Sequence, residues 1–330
     1  MIRARELHKA YGDHVVVAGI DVEIPRGQRV ALLGLNGAGK TTLFRCLLGL
    51  TPFRGSLTVD GLEAGPGARE VRRRVGYVPQ RPPLFDLSLS EFVTLVSGIR
   101  GIEPAGPLGR LETFGLSPAE AGARPLRDLS GGMLQKAFLA LALGEEVSVL
   151  LLDEPTASLD PEARRDVLKA VADAGPGTTV VLATHRLEDV RALADRVLVL
   201  GGGRFVFDGP VSELEAVAAD ERLVWIDIPV ADRAEAVRSL EDHRGVRDAH
   251  VNGKGIELSV AAGATLDVLS ALETSGFPVT DFHSRPPELE AIMARLVGPV
   301  AGGGRPDTDP GAEIDAAGGE ASAVRPGSGR

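Results

Sequence analysis

Val30-Ala31-Leu32-Leu33-Gly34-Leu35-Asn36-Gly37-Ala38-Gly39-Lys40-Thr41-Thr42 is the stretch on which the fold turns. Four apolar residues run into G-x-x-x-x-G-K-[ST], and Thr42–Leu48 then follows a helical pattern. A strand, a glycine loop and a helix in that order let backbone N–H groups converge on a phosphate, with the helix N-terminus adding a favourable dipole. Gly34, Leu35, Asn36, Gly37, Ala38, Gly39 and Thr42 form the cradle in this reading. Lys40 neutralises β- and γ-phosphates, and the Thr41 hydroxyl holds Mg²⁺.

Outward from this loop, apolar β-type runs alternate with helical patterns as far as about Gly209. The runs are Val15–Ile24, Arg29–Leu33, Val75–Val78, Val147–Leu152, Thr179–Ala183 and Arg196–Leu200. Such alternation predicts an α/β fold with a mostly parallel sheet, and the early run between Gly19 and Pro25 suggests an added antiparallel layer. Apolar residues recur at helical spacing in Leu89–Ile99 and Gln135–Leu143, so residues 82–142 read as an inserted helical subdomain. Gly201-Gly202-Gly203 lies between two strand-like runs and reads as a hairpin. The first domain is placed at residues 1–220.

The pattern then changes. Leu223–Ile228, Val246–Val251, Ile256–Val260 and Val279–His283 read as strands, and Ala231–Glu241 and Thr265–Glu273 as helices, with Asn252-Gly253 as a turn. The order βαββαβ predicts a small ferredoxin-like α+β unit over residues 221–298, with Pro287–Leu296 as a closing helix. Residues 299–330 are rich in Gly, Pro, Ala and acidic side chains and are expected to be a disordered tail.

Composition narrows the function classes. The 330 residues carry 36 Lys and Arg against 46 Asp and Glu, a formal charge of −10, which offers no basic field to nucleic acid. A single cysteine, Cys46, forms no intrachain disulfide and fits a reducing compartment. Met1–Ala10 is charged every few residues, so no secretion signal is expected there. The longest apolar run, Val147–Leu152, is far short of the ~20 residues of a membrane-spanning helix.

Two further segments carry chemistry. Val149–Leu152 delivers Asp153 and Glu154 to a strand's C-terminal end, where open α/β sheets collect ligands. Asp153 can join the Mg²⁺ shell there, and Glu154 can polarise a water. Leu129-Ser130-Gly131-Gly132 precedes a helical stretch and serves either as a second phosphate-facing turn or as a simple helix cap.

The order Tyr11, Gly34–Thr42, Gln80, Leu129–Gly132, Asp153-Glu154, Ser158-Leu159-Asp160 and His185 resembles the ATP-binding cassette ATPases of ABC transporters, over about two-thirds of the chain. The resemblance implies ATP and Mg²⁺ as cofactors and assigns further roles. Tyr11 stacks on adenine; Gln80 contacts Mg²⁺ and the attacking water and relays the site's state; His185 contacts the γ-phosphate and orients Glu154. Ser130, Gly131 and Gly132 face the nucleotide of a second cassette, and Asp160 crosses the same interface. The catalytic group is then Glu154, His185, Gln80 and Lys40, with Thr41, Gln80 and Asp153 around the metal.

Met133 departs from the glutamine usual after the paired glycines, and Val147 from a common proline. One cassette followed by a βαββαβ-like extension is similar to the ATPase subunits of ABC-2-type exporters. That implies a separate membrane permease, a homodimer of cassettes, a peripheral place on the cytoplasmic face of the membrane, and no nucleic-acid partner. An importer subunit, a soluble non-transport ATPase and a nucleotide-sensing module are the competing readings.

Overall fold

A computed structural model describes residues 1–144, 147–157, 159–253 and 255–297. Ser158 and the tail expected at 299–330 lie outside them.

The chain opens with β1 (Ile2–Tyr11) and β2 (His14–Ile24), then β3 (Arg29–Leu33) runs into α1 (Lys40–Leu47). β4 (Arg54–Val59), β5 (Leu62–Glu63), α2 (Arg69–Arg74) and β6 (Val75–Val78) follow. Four helices succeed them: α3 (Leu89–Arg100), α4 (Ala105–Thr113), α5 (Pro118–Ala121) and α6 (Gly131–Ala142). Alternation resumes with β7 (Val149–Asp153), α7 (Pro161–Ala172), β8 (Thr179–Ala183), α8 (Leu187–Leu193) and β9 (Arg196–Gly201). β10 (Arg204–Pro210) and α9 (Val211–Ala219) complete the first part.

β10-β9-β3-β8-β7-β6 is the order of a six-stranded sheet, parallel from β9 to β6, with β10 antiparallel at its edge. The hairpin expected at Gly201–Gly203 joins β9 to β10. β2 lies in a separate antiparallel sheet, β2-β1-β4-β5. Both faces of the parallel sheet are covered, and β7 shows why its sequence is continuously apolar. Val149 and Leu151 pack with α1's Phe44 and the antiparallel layer, whereas Leu150 and Leu152 pack with α6's Leu139 and α7's Val167 and Val171. Each buried aliphatic side chain contributes about 1.5–3 kcal/mol.

The inserted helices have their own core, in which Leu89, Phe92, Leu111, Leu126, Leu129 and Leu141 meet. α3 begins with a capping box, Ser88 accepting from the Glu91 N–H while the Glu91 carboxylate accepts from Ser88 N–H, and ends on Gly101 at φ 71°.

Beyond α9, β11 (Glu221–Asp227), α10 (Arg233–Leu240), β12 (Val246–Asn252), β13 (Gly255–Ala261), α11 (Thr265–Thr274) and β14 (Asp281–Arg285) build a third sheet. It is wholly antiparallel in the order β12-β13-β11-β14. One face buries Val224, Ile226, Ile256 and Leu258 against Ala236 and Leu240 of α10 and Val268 and Leu272 of α11. The final helix, α12 (Leu289–Val297), turns its apolar face elsewhere. Leu289, Ile292 and Met293 share a core with Ala31 and Leu33 of β3, Val197 and Val199 of β9, and Leu214 of α9.

Candidate functional site

The parallel register gathers the chemistry at one edge. Val78 pairs with Leu152, Leu152 with Leu182, and Ala183 with both Leu32 and Asp153. Each strand therefore ends at the same level, and the residues just beyond them are Gly34, Gln80, Asp153-Glu154 and His185.

The glycine loop needs its glycines. Gly37 and Gly39 have φ 81° and 102°, and a Cβ on Gly39 would lie 2.7 Å from Val16 Cγ1 of β2. Such backbone is open to glycine and strained for other residues. Ala38 N–H donates to Leu35 C=O at 3.0 Å, closing the turn. Lys40, the first residue of α1, is buried and donates from Nζ to Gly34 C=O at 2.7 Å and Leu35 C=O at 3.4 Å. Burial pushes its ammonium below the usual lysine range, opposed by the negative charges of Glu154 and Asp153.

One residue on, Thr41 Oγ1 donates to Asp153 Oδ2 at 2.8 Å. Asp153 is buried at the end of β7, and that burial raises its pKa, with the Thr41 hydrogen bond acting in the other direction. A hydroxyl and a buried carboxylate side by side are hard oxygen donors of the kind Mg²⁺ takes, and a cation there would offset the cost of burying Asp153. The donor set fits the metal expected.

Glu154 follows in left-handed backbone, φ 50°, a conformation costing about 1–3 kcal/mol outside glycine. Its N–H donates to Ala183 C=O at 2.8 Å, which fixes the turn to β8. Its Oε2 lies 2.6 Å from Nδ1 of His185, which stands two residues beyond β8. Glu154 is buried, whereas His185 is half-exposed, so the pair lies at the rim of the site.

Lys40, Thr41, Asp153, Glu154 and His185 are thus brought together. Gln80 is exposed in the turn after β6, at the same sheet edge. Tyr11 ends β1 with 45% of its surface exposed, and the Lys9 ammonium lies 4.4 Å from its ring centroid. One face of that ring is occupied by a cation.

The Ser130 turn is built elsewhere. Ser130 caps α6 and accepts from Met133 N–H at 3.2 Å, with Gly131 and Gly132 as the first helical residues. Asp160 caps α7, accepting from Glu162 N–H and Ala163 N–H at 2.9 Å each. Those backbone hydrogen bonds hold its carboxyl below the ordinary aspartate range. Ser130, Gly132, Met133, Lys136 and Asp160 line one depression of about 210 Å³, and no residue of the glycine loop lines it. The Lys40 loop and the Ser130 turn therefore line separate places on the described chain.

Sequence reasoning missed Asp189, which the fold places under both the Glu154 and the His185 turns through Thr156 and Thr184. Its only signal was an aspartate in the first turn of a helix, which reads as an ordinary dipole-compensating residue.

Residues 17–157 match the family profile described as ABC transporter. The Nod factor export ATP-binding protein I of Cupriavidus metallidurans is 35% identical over 308 residues, covering 90% of this chain and 97% of that protein. The daunorubicin resistance ATP-binding protein DrrA2 of Streptomyces coeruleorubidus is 34% identical, covering 90% and 95%. The methionine import ATP-binding protein MetN of Mesorhizobium japonicum is 37% identical over 223 residues, 64% of this chain and 60% of that one. Among solved structures, one described as the ATP binding subunit of an ABC transporter aligns with a TM-score of 0.60 and 28% identity, over 66% of this chain and 92% of its own.

Proposed function

For a chain that belongs to the ATP-binding subunits of ABC transporters, a family of ATP-hydrolysing cassettes, we propose the specific work of driving export through a separate membrane permease. In this reading two copies close on two ATP molecules. Lys40 and the loop amides hold the β- and γ-phosphates of one ATP, Tyr11 offers its open face to the adenine, and Ser130 of the second copy approaches from the other side. Thr41 and Asp153, with Gln80 across the sheet edge, hold Mg²⁺, which when bound offsets charge on the phosphates. Glu154 orients a water in line with the β–γ bond and takes its proton, while His185 holds the Glu154 carboxylate in place. Asp160 belongs to the contact between copies.

The observation that carries the hydrolytic reading is the Glu154–His185 contact at the edge where Thr41 meets Asp153. The separation of the Ser130 and Asp160 depression from the Lys40 loop supports a pocket completed only by a second copy. Closure is favoured by contacts present only with triphosphate bound, and hydrolysis removes them. ATPase turnover by the purified chain, lost in Glu154→Gln while ATP still binds, is the test.

Export rather than import is supported by where the similarity extends. Three export-named relatives align over 88% to 90% of the chain, including the third sheet, and a fourth over 65%, whereas the import-named one aligns over 64%. We read residues 221–298 as a ferredoxin-like accessory domain appended to a cassette of residues 1–220; the βαββαβ order and antiparallel sheet through β14 support that division, while α12 packs on β3, β9 and α9. Among the described residues no helix is long and apolar enough to cross a membrane, and in this reading the permease is a separate chain. The exposed Leu84, Phe85, Leu95 and Ile99 offer that permease an apolar docking surface at the cytoplasmic face of the membrane. Co-purification with a polytopic membrane protein and vesicle transport assays test partner and direction.

A further inference from the structure

Asp189, in the first turn of α8, has none of its surface exposed and is held by three other side chains. Its Oδ1 accepts from Nε and Nη2 of Arg164 at 2.8 and 2.6 Å, and its Oδ2 accepts from the hydroxyls of Thr156 and, at 3.4 Å, Thr184. Thr156 is two residues past Glu154, and Thr184 immediately precedes His185. Thr184 Oγ1 also accepts from Arg186 N–H at 3.1 Å, closing the turn that presents His185. Arg164 is the fourth residue of α7, one turn beyond the Asp160 cap, and also lies 3.6 Å from Glu188. A single buried carboxylate therefore joins the three segments that carry Glu154, His185 and Asp160.

Stability alone is a poor reason for such a group. Desolvating an aspartate and an arginine costs about what their attraction returns, and apolar replacements of similar volume are often neutral or stabilising. What a forked guanidinium and two hydroxyls on one carboxylate do provide is direction, because each donor fixes one segment's distance and angle. Placement matters where it is applied, since a 1 Å error in catalytic geometry costs about 10²-fold in rate.

We propose that Asp189 and Arg164 are positioning residues for hydrolysis, locking the Glu154 turn against the His185 turn and tying both to the α7 terminus that carries Asp160. The proposal rests on the reading of Glu154 and His185 as the hydrolytic pair. A shift of α7 at the contact between copies then moves the Glu154–His185 geometry through Arg164, without any contact of Arg164 or Asp189 with nucleotide.

The test uses the full chain in three forms: unaltered, Thr156→Val, and the paired change Arg164→Met with Asp189→Leu. Thr156→Val deletes one hydroxyl donor to Asp189 and leaves the ion pair intact, so a readout remains even if the paired change is not tolerated. We expect kcat to fall at least tenfold in each variant, with ATP affinity within twofold and Tm within a few degrees of the unaltered chain. The ¹⁵N signals of the His185 ring in the nucleotide-free protein should shift in both. Turnover of the unaltered chain tests the hydrolytic reading alone, while the ring signal tests the positioning role without any turnover. Unchanged kcat and ring signals in folded variants, or losses of kcat, ATP affinity and Tm together, would overturn the proposal.

Discussion

The Nδ1 of His185 lies 2.6 Å from Oε2 of Glu154, although the two residues follow different strands and 30 intervening residues separate them. Parallel pairing of β7 with β8 sets that meeting, since Asp153 lies beside Ala183 and each chain turns away immediately afterwards.

If that contact orients the base for water, His185→Ala and Glu154→Gln should both lower kcat by about 10²-fold or more, the range that positioned proton transfer supplies. KM for ATP should change little in Glu154→Gln, because that side chain does not belong to the phosphate cradle. Steady-state kinetics alongside equilibrium binding of a fluorescent ATP analogue check this.

Asp153 should show a conflict between stability and activity. Burial raises its folded pKa above the unfolded value, so the folded state binds more protons than the unfolded between the two values. Its contribution is fully favourable below the ordinary aspartate pKa and is lost as pH rises through the raised folded value. Above that raised value the ionised group is a cost, so Asp153→Asn should there leave Tm unchanged or raised while abolishing Mg²⁺-dependent turnover. Lys40, with its pKa lowered by burial, acts oppositely in pH: the unfolded state binds the extra proton, so its contribution to stability rises with pH between the lowered value and 10.5. Thermal melts across pH for Asp153→Asn and Lys40→Met, each against the unaltered chain, separate the two.

Gly39→Ala should damage both fold and binding. Its φ of 102° and a new Cβ 2.7 Å from Val16 Cγ1 demand either loop or β2 movement. The expected cost is about 1–3 kcal/mol in stability, with ATP affinity falling because the loop amides lose their convergence. Urea denaturation and ATP titration read the two effects.

Mixing experiments test the proposed pocket shared between copies. Lys40→Ala and Ser130→Ala should each be inactive alone, but a mixed dimer has one pocket carrying both defects and one carrying neither. Turnover should reappear on mixing, to about a quarter of the unaltered rate if copies pair at random and pockets act independently. Absence of any recovery, with dimers shown to exchange subunits, counts against a shared pocket.

The core makes its own prediction. Leu151 is fully buried between α1 and the neighbouring strands, so Leu151→Ala should cost about 2–5 kcal/mol with no direct contact to the site. Denaturant midpoints would register it.

Elements carried by contiguous residues were legible in the chain itself. β3, β6 and β8 are short, mostly apolar runs, and the glycine loop, the Asp153-Glu154 end and the βαββαβ order are local patterns. β1 escaped notice because its buried residues alternate with charged ones and the alternation slips at Glu6, where φ is 45° and the register with β2 shifts. α12 was legible as a helix, but its docking on β3 and β9 was not, because an apolar face does not specify which of several exposed apolar surfaces it covers.

What the sequence by itself determined was the strand–loop–helix at Gly34–Thr41, the succession of strands and helices, and which residues could hold phosphate or metal, since these follow from spacing along the backbone. Only the tertiary structure decided that Glu154 meets His185, that Ser130 and Asp160 share a depression away from the glycine loop, and that Asp189 lies beneath the turns carrying Glu154 and His185. Those relations depend on strand register and on the burial of a carboxylate among donors from α7 and from the turns that follow β7 and β8, quantities that distance along the chain does not encode.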